Sequence, residues 1–159
     1  DELRRKFGFT KKTVLITAGG TDAGRFLIQK SIEATKAIDD IETVLVSGPS
    51  IEITDDAIRN LGYVTNLHEA IYASDLVISL AGKSTIDEAK AYGTPGIFIP
   101  IKNHFEQEDN ALQEGYSYDD VFRLRSLVLE KIDSTRNPLR IDGAQKAWEI
   151  IQRYISPNA

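Results

Sequence analysis

Four short apolar runs set the terms on which this chain can fold: Thr13-Val14-Leu15-Ile16-Thr17-Ala18, Thr43-Val44-Leu45-Val46, Leu76-Val77-Ile78-Ser79-Leu80 and Gly96-Ile97-Phe98-Ile99-Pro100-Ile101. Each is near-continuous and rich in β-branched residues instead of alternating apolar with polar. A strand reads that way when both its faces are buried, as in a parallel sheet covered on two sides by helices. A shorter candidate lies at Asn60-Leu61-Gly62-Tyr63-Val64, and a sixth at Tyr116-Ser117-Tyr118. Helical patterns fill the gaps. Residues 23–38 carry Leu27, Ile28, Ile32 and Thr35 towards one side, and 119–132 carry Val121, Leu124, Val128 and Ile132 on one stripe. Residues 67–73, 85–92 and 107–114 form shorter helices, and loop 48–58 holds a short helical turn. The clearest helix places Ala144, Ala147, Trp148, Ile151, Tyr154 and Ile155 on one face, between Pro138 and Pro157. Strands alternating with helices predict an α/β fold: a Rossmann-like open parallel sheet of about six strands with helices on both faces. A chain of 159 residues suits one such domain with a single core, spanning 1–159.

Composition removes several function classes. With 24 acidic against 19 basic residues and a net charge of −5, the chain has no field to gather nucleic-acid phosphates. No apolar run approaches the roughly 20 residues that span a bilayer. The start, Asp1-Glu2-Leu3-Arg4-Arg5-Lys6, lacks the apolar stretch of a secretion signal, so the expected location is cytoplasmic. Cysteine is absent, which excludes thiol catalysis and cysteine zinc sites, and the two histidines, His68 and His104, lie far apart, so no metal site is expected. Methionine is missing even at position 1, and the charged first residues read as the end of an interdomain connection in a longer protein.

In open parallel sheets ligands bind outside the carboxyl ends of the strands, which directs attention to three loops. The first, Gly19-Gly20-Thr21-Asp22-Ala23-Gly24, joins a strand to a helix. Its glycines permit close approach of a ligand to backbone, and the helix start offers unpaired N–H groups to a phosphate. It matches neither the dinucleotide fingerprint nor the P-loop, and a tight turn with Thr21 or Asp22 as helix cap is the plainer alternative. The second, Ala81-Gly82-Lys83-Ser84-Thr85-Ile86-Asp87-Glu88, presents another helix start with two hydroxyls and a lysine. Glu88, one turn in, can accept hydrogen bonds from the vicinal hydroxyls of a ribose. Thr85-x-x-Glu88 also fits a capping box, which would engage Glu88 with backbone instead. The third loop contains Glu106 and Gln107, an acceptor beside an amide, as sugar hydroxyls require, or else a polar first turn complementing the helix dipole. His104 reads as a loop or capping residue, with no carboxylate assigned to orient it as a base.

Taken in order, these loops resemble the C-terminal domain of glycosyltransferase family 28, which includes MurG-like N-acetylglucosaminyl transferases of the GT-B fold. The residues that carry the resemblance are Gly19-Gly20-Thr21, the Gly82-x-x-Thr85-x-x-Glu88 helix start, Gly93-Thr94-Pro95 before a strand ending in proline, and Glu106-Gln107 with Asn110-Ala111. The match is specific from Asp75 to Gly115 and looser before. The resemblance implies that Gly20 and Thr21 approach a diphosphate and that Tyr63 and Val64 lie beside the base, with Val64 backbone pairing to uracil. It implies that Gly82, Ser84 and Thr85 meet phosphate, that Glu88 holds the ribose, and that Glu106 and Gln107 contact the sugar. Lys83 departs from the small residue of MurG-like enzymes and stands where it can pair with phosphate. The implied activity is that of the UDP-sugar-binding half of an inverting, metal-independent glycosyltransferase transferring a hexosyl or N-acetylglucosaminyl group, with no cofactor. The general base and acceptor site would lie on an N-terminal domain, or on a separate membrane-associated subunit, without which the chain is inactive. A sugar-nucleotide hydrolase or epimerase of the same superfamily, or a non-catalytic nucleotide-sugar-binding module, are the alternatives.

Overall fold

The structure is a computed structural model that describes residues 1–19, 22–48, 51–140 and 142–155. Its centre is a five-stranded parallel sheet made of β1 (Lys12–Thr17), β2 (Ile41–Val46), β3 (Arg59–Asn60), β4 (Leu76–Leu80) and β5 (Gly96–Ile99), in the order β3-β2-β1-β4-β5. Burial explains the sequence pattern. Val14, Leu15 and Ile16 are consecutive on β1 and all fully buried, as are Leu76, Val77 and Ile78 on β4, because each strand packs against both layers.

Among the described residues there are seven α-helices: α1 (Glu2–Phe7), α2 (Arg25–Thr35), α3 (Leu67–Ala73), α4 (Lys83–Tyr92), α5 (Phe105–Gln113), α6 (Leu124–Lys131) and α7 (Gly143–Ile155). The chain runs from β1 through α2 to β2 on one side, and from β4 through α4 to β5 on the other. Right-handed crossovers in opposite directions place α2 and α4 on opposite faces of the sheet. Helix α2 packs against α6, and α3 packs against α4 and α1. The predicted stripes do face inward: Leu27, Ile28, Ile32 and Thr35 are buried on α2, and Val121, Leu124, Val128 and Ile132 are buried after β5.

Three expectations are corrected. The sheet has five strands, because residues 116–118 do not form one. There the Tyr116 ring is buried edge-on to Phe98, its hydroxyl donates to the Gly96 carbonyl at 2.8 Å, and Ser117 caps a 3-10 helix over Tyr118–Arg123. The strand foreseen at 60–64 is only the two-residue β3, since the Gly62 N–H turns back onto the Asn60 side chain at 2.8 Å. The described part of loop 48–58 contains a turn closed by the Ile58 N–H on the Asp55 carbonyl, but no helix. The charged start is helical. It is α1, pinned where Arg4 donates to Asp75 at 2.8 Å and to the Ala73 carbonyl at 2.9 Å, with Leu3 and Phe7 against the core.

Helix α7 forms as its periodicity predicts, yet none of its described residues is buried. Trp148 and Ile155 remain 53% and 65% exposed.

Candidate functional site

Register decides which loops meet. Thr17 pairs with both Val46 and Ser79, and Leu80 pairs with Ile99, so the carboxyl ends of β1, β2, β4 and β5 finish level with one another. Because β1, β4 and β5 are immediate neighbours, the loops that follow them emerge side by side along one edge. The first loop packs closely at its end. A Cβ on Gly24 would lie 2.4 Å from the Ala18 Cβ, so only glycine lets the start of α2 sit against β1. Gly20 and Thr21 lie outside the described residues.

The second loop is short. The Gly82 N–H donates to the Leu80 carbonyl at 2.8 Å, and Gly82 is the N-cap of α4, with no side chain capping the helix and no acid in its first turn. The first N–H groups of α4 therefore have no side-chain acceptor among the described residues. Ser84 is exposed, Thr85 is half-buried, and neither side chain forms a hydrogen bond among the described residues. The capping box does not form. Thr85 is the third residue of the helix, not its cap, so Glu88 cannot reach back to an N-cap N–H. Glu88 is half-buried and makes no hydrogen bond or ion pair among the described residues. Lys83 pairs with Asp87 at 3.0 Å, one turn on, with both side chains about half exposed. Such a pair is worth about 0.3–0.5 kcal/mol and yields readily to a stronger anion.

The third loop is internally braced. His104 is the N-cap of α5, its Nδ1 accepting from the Gln107 N–H at 3.4 Å, and Asn103 donates its N–H to Glu108 at 2.9 Å. The Gln107 side-chain oxygen accepts from the Ile101 N–H at 3.1 Å, which leaves its amide NH2 to donate elsewhere. Glu106 is exposed and unpartnered among the described residues. Asn110 on α5 donates to the Ala81 carbonyl at 3.1 Å, tying this loop to the start of α4. Sequence patterning named Asn110 without foreseeing that brace.

Val64 is half-buried against the core beside an exposed Tyr63, and its peptide groups form no hydrogen bond among the described residues. Tyr63 borders a cavity of about 470 Å³ with Ser47, Gly48 and Asn60, at the carboxyl ends of β2 and β3. A larger cavity of about 510 Å³ opens at the opposite, amino end of the sheet, beside Lys11, Glu42 and Arg59. It touches none of the three loops, and in parallel sheets size does not outweigh placement at the carboxyl ends.

Residues 13–115, most of the chain and all three loops, match the glycosyltransferase family 28 C-terminal domain. The chain belongs to glycosyltransferase family 28. An uncharacterized glycosyltransferase of Methanopyrus kandleri is 36% identical over 123 residues, covering 72% of this chain and 35% of that protein. A UDP-N-acetylglucosamine--N-acetylmuramyl-(pentapeptide) pyrophosphoryl-undecaprenol N-acetylglucosamine transferase of Thermosipho melanesiensis is 28% identical over 167 residues, covering 94% of this chain and 50% of that protein. Among solved structures, the calicheamicin glycosyltransferase CalG4 superposes with a TM-score of 0.68 at 14% identity, covering 94% of this chain and 43% of that one. That likeness is one of fold, and the fold is the C-terminal half of a GT-B glycosyltransferase. The family 28 chain thus spans between about a third and a half of the relatives it matches. Among its described residues no helix is long and apolar enough to cross a membrane, and no cluster of His, Asp and Glu is arranged around a metal-sized space.

Proposed function

We propose that this family 28 domain binds the UDP-sugar donor of an inverting, metal-independent transferase. The supporting observation is the start of α4: a ten-residue helix with no side-chain cap, no acid in its first turn and, among the described residues, two unengaged hydroxyls and an unpartnered carboxylate one turn in. Helix starts of this kind favour anions, because orphan N–H groups and the aligned peptide dipoles converge there. In this reading the diphosphate sits against Gly82, Ser84 and Thr85, and Lys83 exchanges its weak pair with Asp87 for phosphate. Glu88 accepts from the ribose hydroxyls. Gly20 and Thr21 are the first-loop residues assigned to the diphosphate, Val64 pairs with uracil through its backbone, and Glu106 with the free amide of Gln107 holds sugar hydroxyls. The UDP assignment draws on the donor named for the Thermosipho relative.

In the reaction an acceptor hydroxyl oxygen bonds to the anomeric carbon from the face opposite the diphosphate. The carbon–oxygen bond to the nucleotide breaks, and its electron pair leaves with UDP. The charge growing on that oxygen is met by α4 N–H groups, which the helix already orients, and by the Ser84 and Thr85 hydroxyls. The acceptor proton goes to a base supplied by the rest of the protein or by a separate membrane-associated subunit, so the chain alone binds donor without transferring it.

Calorimetry with UDP tests this. Binding is expected in the millimolar range or tighter, and Glu88→Ala should weaken it about tenfold by removing a charge-assisted hydrogen bond without disturbing a structural contact. Absence of UDP binding at millimolar concentration would reject the donor reading.

A further inference from the structure

The cavity at the amino end of the sheet takes no part in the donor reading and has polar features of its own. Its volume of about 510 Å³ is in the range that small-molecule sites occupy. Loop 8–11, the end of α2, the start of β2 and the segment leading into β3 all line it. Strands β1 and β2 are each six residues long, about 17–20 Å, which sets this cavity well apart from the strand ends near α4.

Unmet hydrogen-bonding capacity gathers there from two elements. Thr43 lines the cavity and is only 6% exposed, yet its hydroxyl makes no hydrogen bond among the described residues. Buried hydroxyls are as a rule paired, so one left over beside a cavity marks a place for a ligand atom. Arg59 donates from Nη1 to the Gly8 carbonyl at 3.2 Å and holds its guanidinium 5.4 Å from the centre of the Phe9 ring. Its Nε and Nη2 are shielded from solvent and have no acceptor among the described residues. Glu42 comes only to 3.6 Å of Nη2, too long for a hydrogen bond. The other Glu42 oxygen is already engaged, accepting from the Thr10 N–H at 2.7 Å, the Lys11 N–H at 3.2 Å and the Thr13 hydroxyl at 2.9 Å.

Charge narrows the ligand class. Lys11 and Lys36 also line the cavity, and neither ammonium pairs with a carboxylate among the described residues. With Arg59 they make three cations against two acids, Asp56 and a Glu42 that backbone N–H groups already hold. That surplus favours an anion, and a phosphate has the oxygens to meet a guanidinium and two ammoniums together. Asp56 and the carbonyl end of α2, where Thr35 and Lys36 reach the cavity, repel a bare anion but accept hydrogen bonds from hydroxyls attached to it. We propose that this cavity binds a small hydroxylated phosphate ester, with its phosphate on Lys11, Lys36 and Arg59 and its hydroxyls on Thr43 and Asp56. The phosphate supplies the acceptor that Nε and Nη2 of Arg59 lack. Because segments distant in sequence contribute, the ligand stabilises the folded state by mass action and takes no part in transfer.

The test uses glucose 6-phosphate, glucose and inorganic phosphate as probes, titrated by calorimetry into the protein, Lys36→Gln, Asp56→Asn and Thr43→Val, with and without saturating UDP. Lys36 and Asp56 are exposed and unpaired among the described residues, so both variants are expected to fold, which circular dichroism checks. Expected is saturable glucose 6-phosphate binding, tighter than that of phosphate, unchanged by UDP and weakened about tenfold by Lys36→Gln, with no glucose binding at millimolar concentration. Asp56→Asn should tighten inorganic phosphate while removing the advantage of the sugar ester over it. Thr43→Val should weaken the ester yet, having lost an unpaired buried hydroxyl, unfold in no less urea than the parent when no probe is present. Ester binding that is absent at millimolar concentration, indifferent to Lys36→Gln or displaced by UDP overturns the site. Tighter phosphate binding in Asp56→Asn with the ester's advantage intact overturns the assignment of its hydroxyls. The Lys36 and Asp56 variants decide the matter whether or not UDP binds at α4.

Discussion

Replacing Ser84 with aspartate should move stability and nucleotide affinity in opposite directions. Ser84 is the second residue of α4, is exposed, and loses no hydrogen bond among the described residues when changed. The first turn of α4 contains no acid, so a carboxylate there interacts favourably with orphan N–H groups and the helix dipole, stabilising the fold by about 0.3–1 kcal/mol. The same carboxylate would lie near the diphosphate proposed to bind those groups. At a separation of roughly 5 Å, repulsion between unit charges is about 1 kcal/mol in water and about 3 kcal/mol at an effective dielectric of 20. UDP affinity should therefore fall by a factor of about 5 to 150. Urea unfolding and UDP calorimetry on the same preparation read the two effects, and Ser84→Asn controls for size. A variant that gains stability yet binds UDP as well as the parent would refute placement of the diphosphate at α4. Should the variant lose stability as well, the uncapped helix start inferred from Gly82 would be wrong.

Two stability effects follow from particular contacts. Asp120 is buried and accepts from the Ser117 N–H at 2.7 Å, the Ser117 hydroxyl at 3.2 Å and Arg123 at 2.5 Å. Burial favours its neutral form, but the Arg123 guanidinium and the Ser117 donors outweigh it and hold the carboxyl below its ordinary value. A lowered native pKa means the contribution is complete above the unfolded value near 3.9 and is lost as pH falls through the native value. Asp120→Asn should cost about 1–2 kcal/mol at pH 7, with the gap from the parent closing below about pH 4 in pH-dependent urea titrations. Gly93 ends α4 at φ 67°, and a Cβ there would lie 2.4 Å from the Pro138 nitrogen. Gly93→Ala should destabilise the fold by about 2 kcal/mol or more in the same assay, since neither backbone can yield freely.

The parts of this fold legible in the sequence were those with a strong period. The runs at β1, β2, β4 and β5 had only one use, and the stripes on α2 and α6 pointed correctly to the core. Signals at the ends of elements misled because they are local and degenerate. Thr85-x-x-Glu88 has the spacing of a capping box but lies inside a helix that begins at Lys83, since Gly82 caps it with backbone alone. The box that does form is Ser117 with Asp120, in a segment whose alternating tyrosines suggested a strand. In the first case the deciding fact was where β4 released the chain; in the second, Tyr116 anchors on Phe98 and the Gly96 carbonyl after α5 ends. Helix α1 was hidden by its charges, being held by the long-range contact of Arg4 with Asp75. At the site, the three loops were legible because each follows a recognisable strand. The brace from Asn110 to the Ala81 carbonyl was not, for it joins two elements that share no spacing a linear pattern could reveal.

Central to this account is the claim that nucleotide is held where α4 begins. A crystal of the protein soaked with UDP tests it most directly. The diphosphate is expected within hydrogen-bonding distance of the Ser84 and Thr85 N–H groups, with the ribose hydroxyls on Glu88. UDP found instead in the cavity beside Arg59 at the amino end of the sheet, or at the carboxyl end with Glu88 untouched, would contradict it.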